Sequence, residues 1–214
     1  MRLKIETGEN IENIIFDLGG VLLDIDVRKT LDAFEKLHIK GLKAEDIYPN
    51  LKSCFLELEI GALSPDEFIE AIRKEYPDAR NVDEMQFWKA WNALLLDFVP
   101  ARFDLLEKVR RDYRIYLLSN TNLPHRKGYL QRFEEQMHRP FESYFEKCYY
   151  SDALHMRKPD KAIYEYVVRD AGIDPCKTLF IDDNTCNFSG AEEAGLHCYH
   201  LKKGHNIAEL FERI

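Results

Sequence analysis

Short apolar runs alternate with longer stretches in which apolar residues recur every three or four positions. The runs IIFDL (14–18), RIYLLS (114–119), KTLFID (177–182) and LHCYHL (196–201) predict buried strands. Helical spacing between the later runs predicts helices over 124–136, 159–170 and 187–194. Strand and helix in alternation imply crossover units on a parallel sheet, so the fold class is α/β, an open sandwich. Such a sheet binds its ligands where the carboxyl ends of the strands open onto loops.

Residues 27–98 break that rhythm. Helical patterns run through 28–37, 50–61, 64–76 and 82–95, with Leu31, Phe34 and Leu37 on one face. The stretch SPDEF places serine at an N-cap, proline at the first helical position and glutamate two residues further on, which marks a helix start. Trp88, Trp91 and Leu95 recur along one side and read as packing rather than a cofactor box. The chain thus divides into a core, 1–26 with 99–214, and a helical insertion, 27–98. A helix within 99–113 returns to the core, and the terminal NIAELFERI (206–214) predicts a short closing helix.

Composition narrows the functional classes. The chain has 214 residues, 45% hydrophobic, with 30 Lys and Arg against 38 Asp and Glu and a formal net charge of −8. That balance disfavours nucleic acid as a partner, although a local cationic pocket is still allowed. No run approaches a membrane span and the opening residues do not read as a secretory signal. Cys54, Cys148, Cys176, Cys186 and Cys198 are scattered without zinc spacing, which fits reduced thiols in a cytoplasmic protein. The seven histidines form no ligand motif. His125 lies near a strand-end loop, but nearness in sequence does not make it a general acid.

Three of the predicted strands end in polar clusters: Asp17; Ser119 with Asn120; and Asp182 with Asp183. Lys158 precedes Pro159, which suits a first helical position. Asp17 can attack phosphorus as an ionised carboxylate or merely brace its turn; the other groups favour attack. Ser119 and Asn120 can donate to phosphate oxygens or cap a turn. Lys158 can offset phosphate charge or sit on the surface. Asp182 and Asp183 suit a hard cation such as Mg²⁺, with Asp183 the more direct ligand; helix-start acids are the alternative. Asn184 and Asn187 can hold the outer shell or cap the loop.

Taken together, DLGGV, LLSNTN, MRKPD and IDDNTCN make the chain resemble the haloacid dehalogenase-like hydrolase superfamily over nearly its whole length. The resemblance implies a Rossmann-like core and a small helical cap. It assigns Asp17 as nucleophile, Ser119 to the second motif, Lys158 to the third, and Asp182 with Asp183 to metal binding. The family's phosphatases carry an aspartate two positions after the nucleophile that handles the leaving-group proton. Here that position is Gly19, whose carbonyl remains a metal ligand. The motifs are most similar to a sugar-phosphatase branch that includes an α-glucose-1-phosphate phosphatase. The implied activity is Mg²⁺-dependent hydrolysis of a small phosphorylated metabolite, a sugar phosphate, through an aspartyl-phosphate. A weak or inactive phosphometabolite-binding regulator is the alternative, and a halide-releasing hydrolase is less favoured because the acidic pair is present. The adjoining glycines predict a crowded loop that would resist a side chain at position 19.

Overall fold

The computed structural model describes residues 1–3, 10–39 and 44–212, with side chains left out over 44–51. Five strands form one parallel sheet in the order Lys147–Tyr150, Arg114–Ser119, Asn13–Phe16, Thr178–Asp182, His197–His200. The strand Asn13–Phe16 is central and every residue in it is buried. This explains its unbroken apolar run, since both faces of a parallel sheet are covered. Phe16, Leu117 and Ile181 point to one buried layer, and Ile15, Leu118 and Phe180 to the other. Helices Leu123–Met137 and Lys161–Ala171 cross between strands, as the alternation predicts. Asp17 follows the central strand directly, and its amide extends the ladder to the Ile181 carbonyl at 2.9 Å.

The insertion carries helices Val27–Glu35, Ala44–Glu59, Pro65–Glu75 and Glu84–Trp91. They enclose a second apolar cluster built on Phe34, Phe68, Phe87 and Trp91. Edge-to-face contacts dominate it, Phe34 to Phe87 at 5.2 Å and Phe68 to Trp91 at 5.0 Å between ring centres. The capping box forms as the sequence predicts: Ser64 Oγ accepts from the Glu67 amide and the Glu67 carboxylate accepts from the Ser64 amide.

Several expectations are corrected. The helix predicted over 82–95 stops at Trp91; a 3₁₀ turn covers Asn92–Leu94 and Leu95–Phe98 is a strand. That strand pairs antiparallel with Leu23–Ile25, which carries Leu95 into the core cluster and away from Trp91. The helix predicted from residue 50 begins at Ala44. The closing helix is one 3₁₀ turn, Ile207–Leu210, followed by a strand Phe211–Glu212 that pairs with Arg2–Leu3; residues 213–214 lie outside the described residues. Asn206 and Glu209 cap that turn, so the pattern NIAE marks a start that the next residues do not continue. Pro159 is not the first helical residue, because the helix starts at Lys161 behind Asp160. Among the described residues no helix is long and apolar enough to cross a membrane.

Candidate active site

The carboxyl ends of the three middle strands bring Asp17, Ser119 and Asp182 to one edge of the sheet. Lys158 reaches into the gap between them from the loop before helix Lys161–Ala171. It is 1% exposed, and its Nζ donates to Asp17 Oδ1 at 2.8 Å and to Asp182 Oδ2 at 2.7 Å. The ammonium also lies 5.3 Å over the Phe180 ring. A charge so deep survives only if it is paired, and two carboxylates pair it. Burial alone would push the Lys158 pKa down; Asp17 and Asp182 outweigh it and hold it above the ordinary lysine value.

Asp17 responds in the opposite sense. Burial dominates, the Lys158 charge resists and the Asp182 charge adds, and the carboxyl is pushed up to about 7. Asp183, exposed beside them, is also raised, first by desolvation and then by Asp182. Oxygens of Asp17, Asp182 and Asp183 all lie within 4.8 Å of one another. Three carboxylates against one ammonium leave two negative charges, the charge that one divalent cation cancels. Hard oxygen donors in this number fit magnesium.

The remaining residues hold this cluster in place. Asp182 accepts from the Asn184 amide at 2.8 Å and from Asn187 Nδ2 at 2.8 Å, so its orientation is set on both oxygens. Asn184 Oδ1 caps the following turn by accepting from the Cys186 amide, which makes Cys186 part of a loop closure. His200 Nε2 lies 3.1 Å from the Asp183 carbonyl; a carbonyl only accepts, so that nitrogen carries the proton. Ser119 is buried beside Asn120, its hydroxyl within 3.5 Å of the Asn120 carbonyl.

Asn120 also has a structural role that the sequence did not suggest. Its side-chain amide donates to the Lys158 carbonyl and its oxygen accepts from the Lys158 amide, both at 2.9 Å. Both ends of the side chain are engaged, so it clamps the lysine backbone, and the second Nδ2 hydrogen and its own backbone are what it has left to offer a phosphate. Gly19 differs from the sequence expectation. It has no positive φ, and a Cβ there would meet only Ile25 Cδ1 at 3.5 Å, an ordinary contact. The crowding belongs to Gly20, with φ of 71° and a Cβ position that would overlap the Asp183 carboxylate. The tight turn therefore needs glycine at 20 and tolerates a side chain at 19.

A cavity of about 350 Å³ adjoins the carboxylates through Asn120 and Arg157, which precedes Lys158. The inserted helices line it with Leu31, Phe55 and Trp91, and the core lines it with Thr121, Asn122 and His125. Glu59 from the insertion meets Arg157 across its rim, Oε1 to Nε at 2.6 Å. Beside that pair, Ser151 Oγ donates to the Glu59 carbonyl at 2.7 Å. Sequence reasoning passed over Glu59 and Arg157, and weighed His125 only to leave it out of the chemistry. Arg157 had a usable signal in its place next to Lys158, whereas Glu59 had none, since 98 residues separate it from its partner.

Residues 11–195 match the model of the haloacid dehalogenase-like hydrolase family. A D-ribitol-5-phosphate phosphatase from Bacteroides thetaiotaomicron is 32% identical over 91% of this chain and 93% of its own. A crystal structure of a family enzyme from the same organism, in complex with magnesium and inorganic phosphate, is 37% identical, with a TM-score of 0.86 over 95% of this chain and all of that one. A Porphyromonas gingivalis structure described as a predicted HAD-like hydrolase is 32% identical, covers 92% of this chain and 94% of its own, and gives a TM-score of 0.81. Sheet order, strand-end chemistry and these relatives converge: the chain belongs to the haloacid dehalogenase-like hydrolase family.

Proposed function

We propose that the protein is a magnesium-dependent phosphomonoesterase acting on a small sugar or polyol phosphate through an aspartyl-phosphate on Asp17. The observation that carries the reading is the buried Lys158 ammonium shared by Asp17 and Asp182, with Asp183 completing a carboxylate set whose excess charge suits a divalent ion. The relatives' phosphatase activity and their magnesium and phosphate complexes support it. Asp17, Asp182, Asp183 and the Gly19 carbonyl would hold the ion. Bound there, magnesium offsets phosphoryl charge and helps align the group for in-line transfer.

The chain's own residues account for the rest. An Asp17 oxygen attacks phosphorus, the bond from phosphorus to the ester oxygen breaks, and the departing alkoxide takes a proton from water or from a hydroxyl of the substrate. Water then attacks the aspartyl-phosphate, restoring the carboxylate and releasing phosphate. Lys158 favours the ionised form of the nucleophile and holds it in place, and Asn120 fixes Lys158. Ser119, Asn120 and the backbone of their loop bind phosphoryl oxygens. Residues 27–98 act as the cap that shapes the leaving-group cavity and excludes water. The partner is a small phosphorylated metabolite, with no role for nucleic acid or membrane, and five free thiols suit a cytoplasmic location.

Phosphate release under multiple turnover, with and without magnesium, tests the reading. The wild type is expected to turn over D-ribitol 5-phosphate only with the metal, and Asp17→Asn is expected to lose at least about 1000-fold, since an amide is no nucleophile. A wild type that binds sugar phosphates without releasing phosphate would be the weak or inactive regulator that Gly19 suggests. Halide release from 2-haloacids without magnesium would favour the dehalogenase reading.

A further inference from the structure

His125 is the buried titratable group that the phosphoryl chemistry leaves unused. Its surroundings fix both its position and its proton. The backbone amide of His125 donates to Asn122 Oδ1 at 3.0 Å, and the Trp91 indole donates to the same oxygen at 3.3 Å. The imidazole stacks on Trp91, with ring centres 5.2 Å apart and planes 16° from parallel. Asn92 donates through Nδ2 to the Pro124 carbonyl at 3.2 Å, which turns its oxygen toward His125 Nδ1 at 2.7 Å. An amide oxygen only accepts, so Nδ1 holds the ring proton. Burial also pushes the pKa of the ring down to about 3, so it stays neutral at physiological pH.

Nε2 is then a lone-pair acceptor, and no described residue donates to it. Asn92 and Nδ1 lie on one side of the ring, while His125 also lines the cavity beside Asn120 and Thr121. We propose that His125 is a specificity-determining residue whose Nε2 accepts a hydrogen bond from a hydroxyl of a neutral polyhydroxylated leaving group seated in this cavity. The proposal rests on the phosphatase reading of the adjoining carboxylates. A fixed, neutral acceptor selects a hydroxyl donor and disfavours a carboxylate, whose negative charge would face the imidazole lone pair. The cavity volume lies in the range for a small ligand, and the Leu31, Phe55 and Trp91 walls suit the carbon chain of a single polyol. The ligand class is thus a singly phosphorylated polyol rather than a phosphorylated carboxylic acid.

Two substitutions separate the nitrogens. His125→Asn keeps a donor for Asn92 and removes the acceptor at Nε2, whereas His125→Gln places an amide oxygen near Nε2. Steady-state kinetics on D-ribitol 5-phosphate and on 4-nitrophenyl phosphate, whose leaving group has no sugar hydroxyl, should diverge. His125→Asn is expected to lose about tenfold in kcat/KM on the polyol phosphate, mainly in KM, and less than about twofold on the aryl ester. His125→Gln should recover part of the loss, and the defect should not change between about pH 6 and about pH 8. A second readout does not need turnover: the imidazole ¹⁵N resonance of unprotonated Nε2 should move upfield when D-ribitol 5-phosphate is added, and not with inorganic phosphate. Equal losses on both substrates, or an unmoved Nε2 resonance, would overturn the role of His125 while leaving the phosphatase reading in place. An Nε2 shift in a protein that releases no phosphate would support the His125 contact and overturn the phosphatase reading.

Discussion

The strand-end site and the inserted helices are both buried, but different forces hold them. At the site one ammonium is shared by Asp17 and Asp182, Asp183 lies beside them, and the local charge is unbalanced. In the insertion a knot of aromatic rings packs edge to face, and among the described residues the buried cluster is apolar. The first arrangement is fragile to any change of charge and depends on exact placement. The second depends on volume and contact area. The difference fits the division of tasks we propose, with the transfer on the core and the insertion as the cap over it.

Lys158→Met should give the largest effect, because it leaves Asp17 and Asp182 without their shared cation. Phosphate release is expected to fall at least about 1000-fold, and the metal-free protein to lose about 3–5 kcal/mol in denaturant unfolding. Near-normal turnover or stability would erase the contrast between the two regions.

Phe68→Ala strikes the other side. Phe68 is fully buried among Phe55, Phe87, Trp88 and Trp91, so its loss should cost about 3–5 kcal/mol by the same unfolding measurement. At temperatures well below unfolding, kcat on 4-nitrophenyl phosphate should stay within about threefold of wild type. A collapse of kcat would mean that the packing of the insertion also sets the geometry of transfer.

A pH series sharpens the charge argument. In chelator-treated protein the Asp17 pKa is raised from 3.8 to about 7, so the folded state keeps a proton that the unfolded chain has released between those values. Its contribution is full below 3.8, declines as pH rises toward about 7 and levels off above. Asp17→Asn lacks that decline and should gain on wild type across the window by up to a few kcal/mol, read from urea midpoints. Parallel curves for the two proteins would show that Asp17 stays ionised without metal.

The smallest effect is expected at Gly19. Gly19→Asp should change stability by less than about 1 kcal/mol, whereas Gly20→Ala, at positive φ and against Asp183, should cost more than that. Thermal unfolding of the pair checks it. A larger cost at 19 than at 20 would return the crowding to the position the sequence suggested.

What could be read in advance follows the same division. The central strand was legible because burial on both faces leaves an unbroken apolar run, and the strand-end acids stood out against it. The edge strand Lys147–Tyr150 was not, since it begins with an exposed lysine and carries tyrosines in place of aliphatic residues. Leu95–Phe98 continued a helical spacing, and only its pairing with Leu23–Ile25 makes it a strand. Asp17, Lys158, Asp182 and Asp183 could be grouped from chemistry alone. The clamp of Asn120 on Lys158 could not, because it joins a side chain to a backbone 38 residues away. His125 was visible as a residue, but its tautomer follows from Asn92, a partner on the insertion.

The ladder between Leu23–Ile25 and Leu95–Phe98 has a consequence for how this chain tolerates change. The insertion leaves and rejoins the core at adjacent positions, so its length is invisible to the sheet. Loop closure grows only logarithmically, about 0.6 kcal/mol per doubling of loop length. Segments of quite different size could be spliced between the same two strands while Asp17 kept its place, which makes this doorway a natural grafting point for exchanging one helical insert for another.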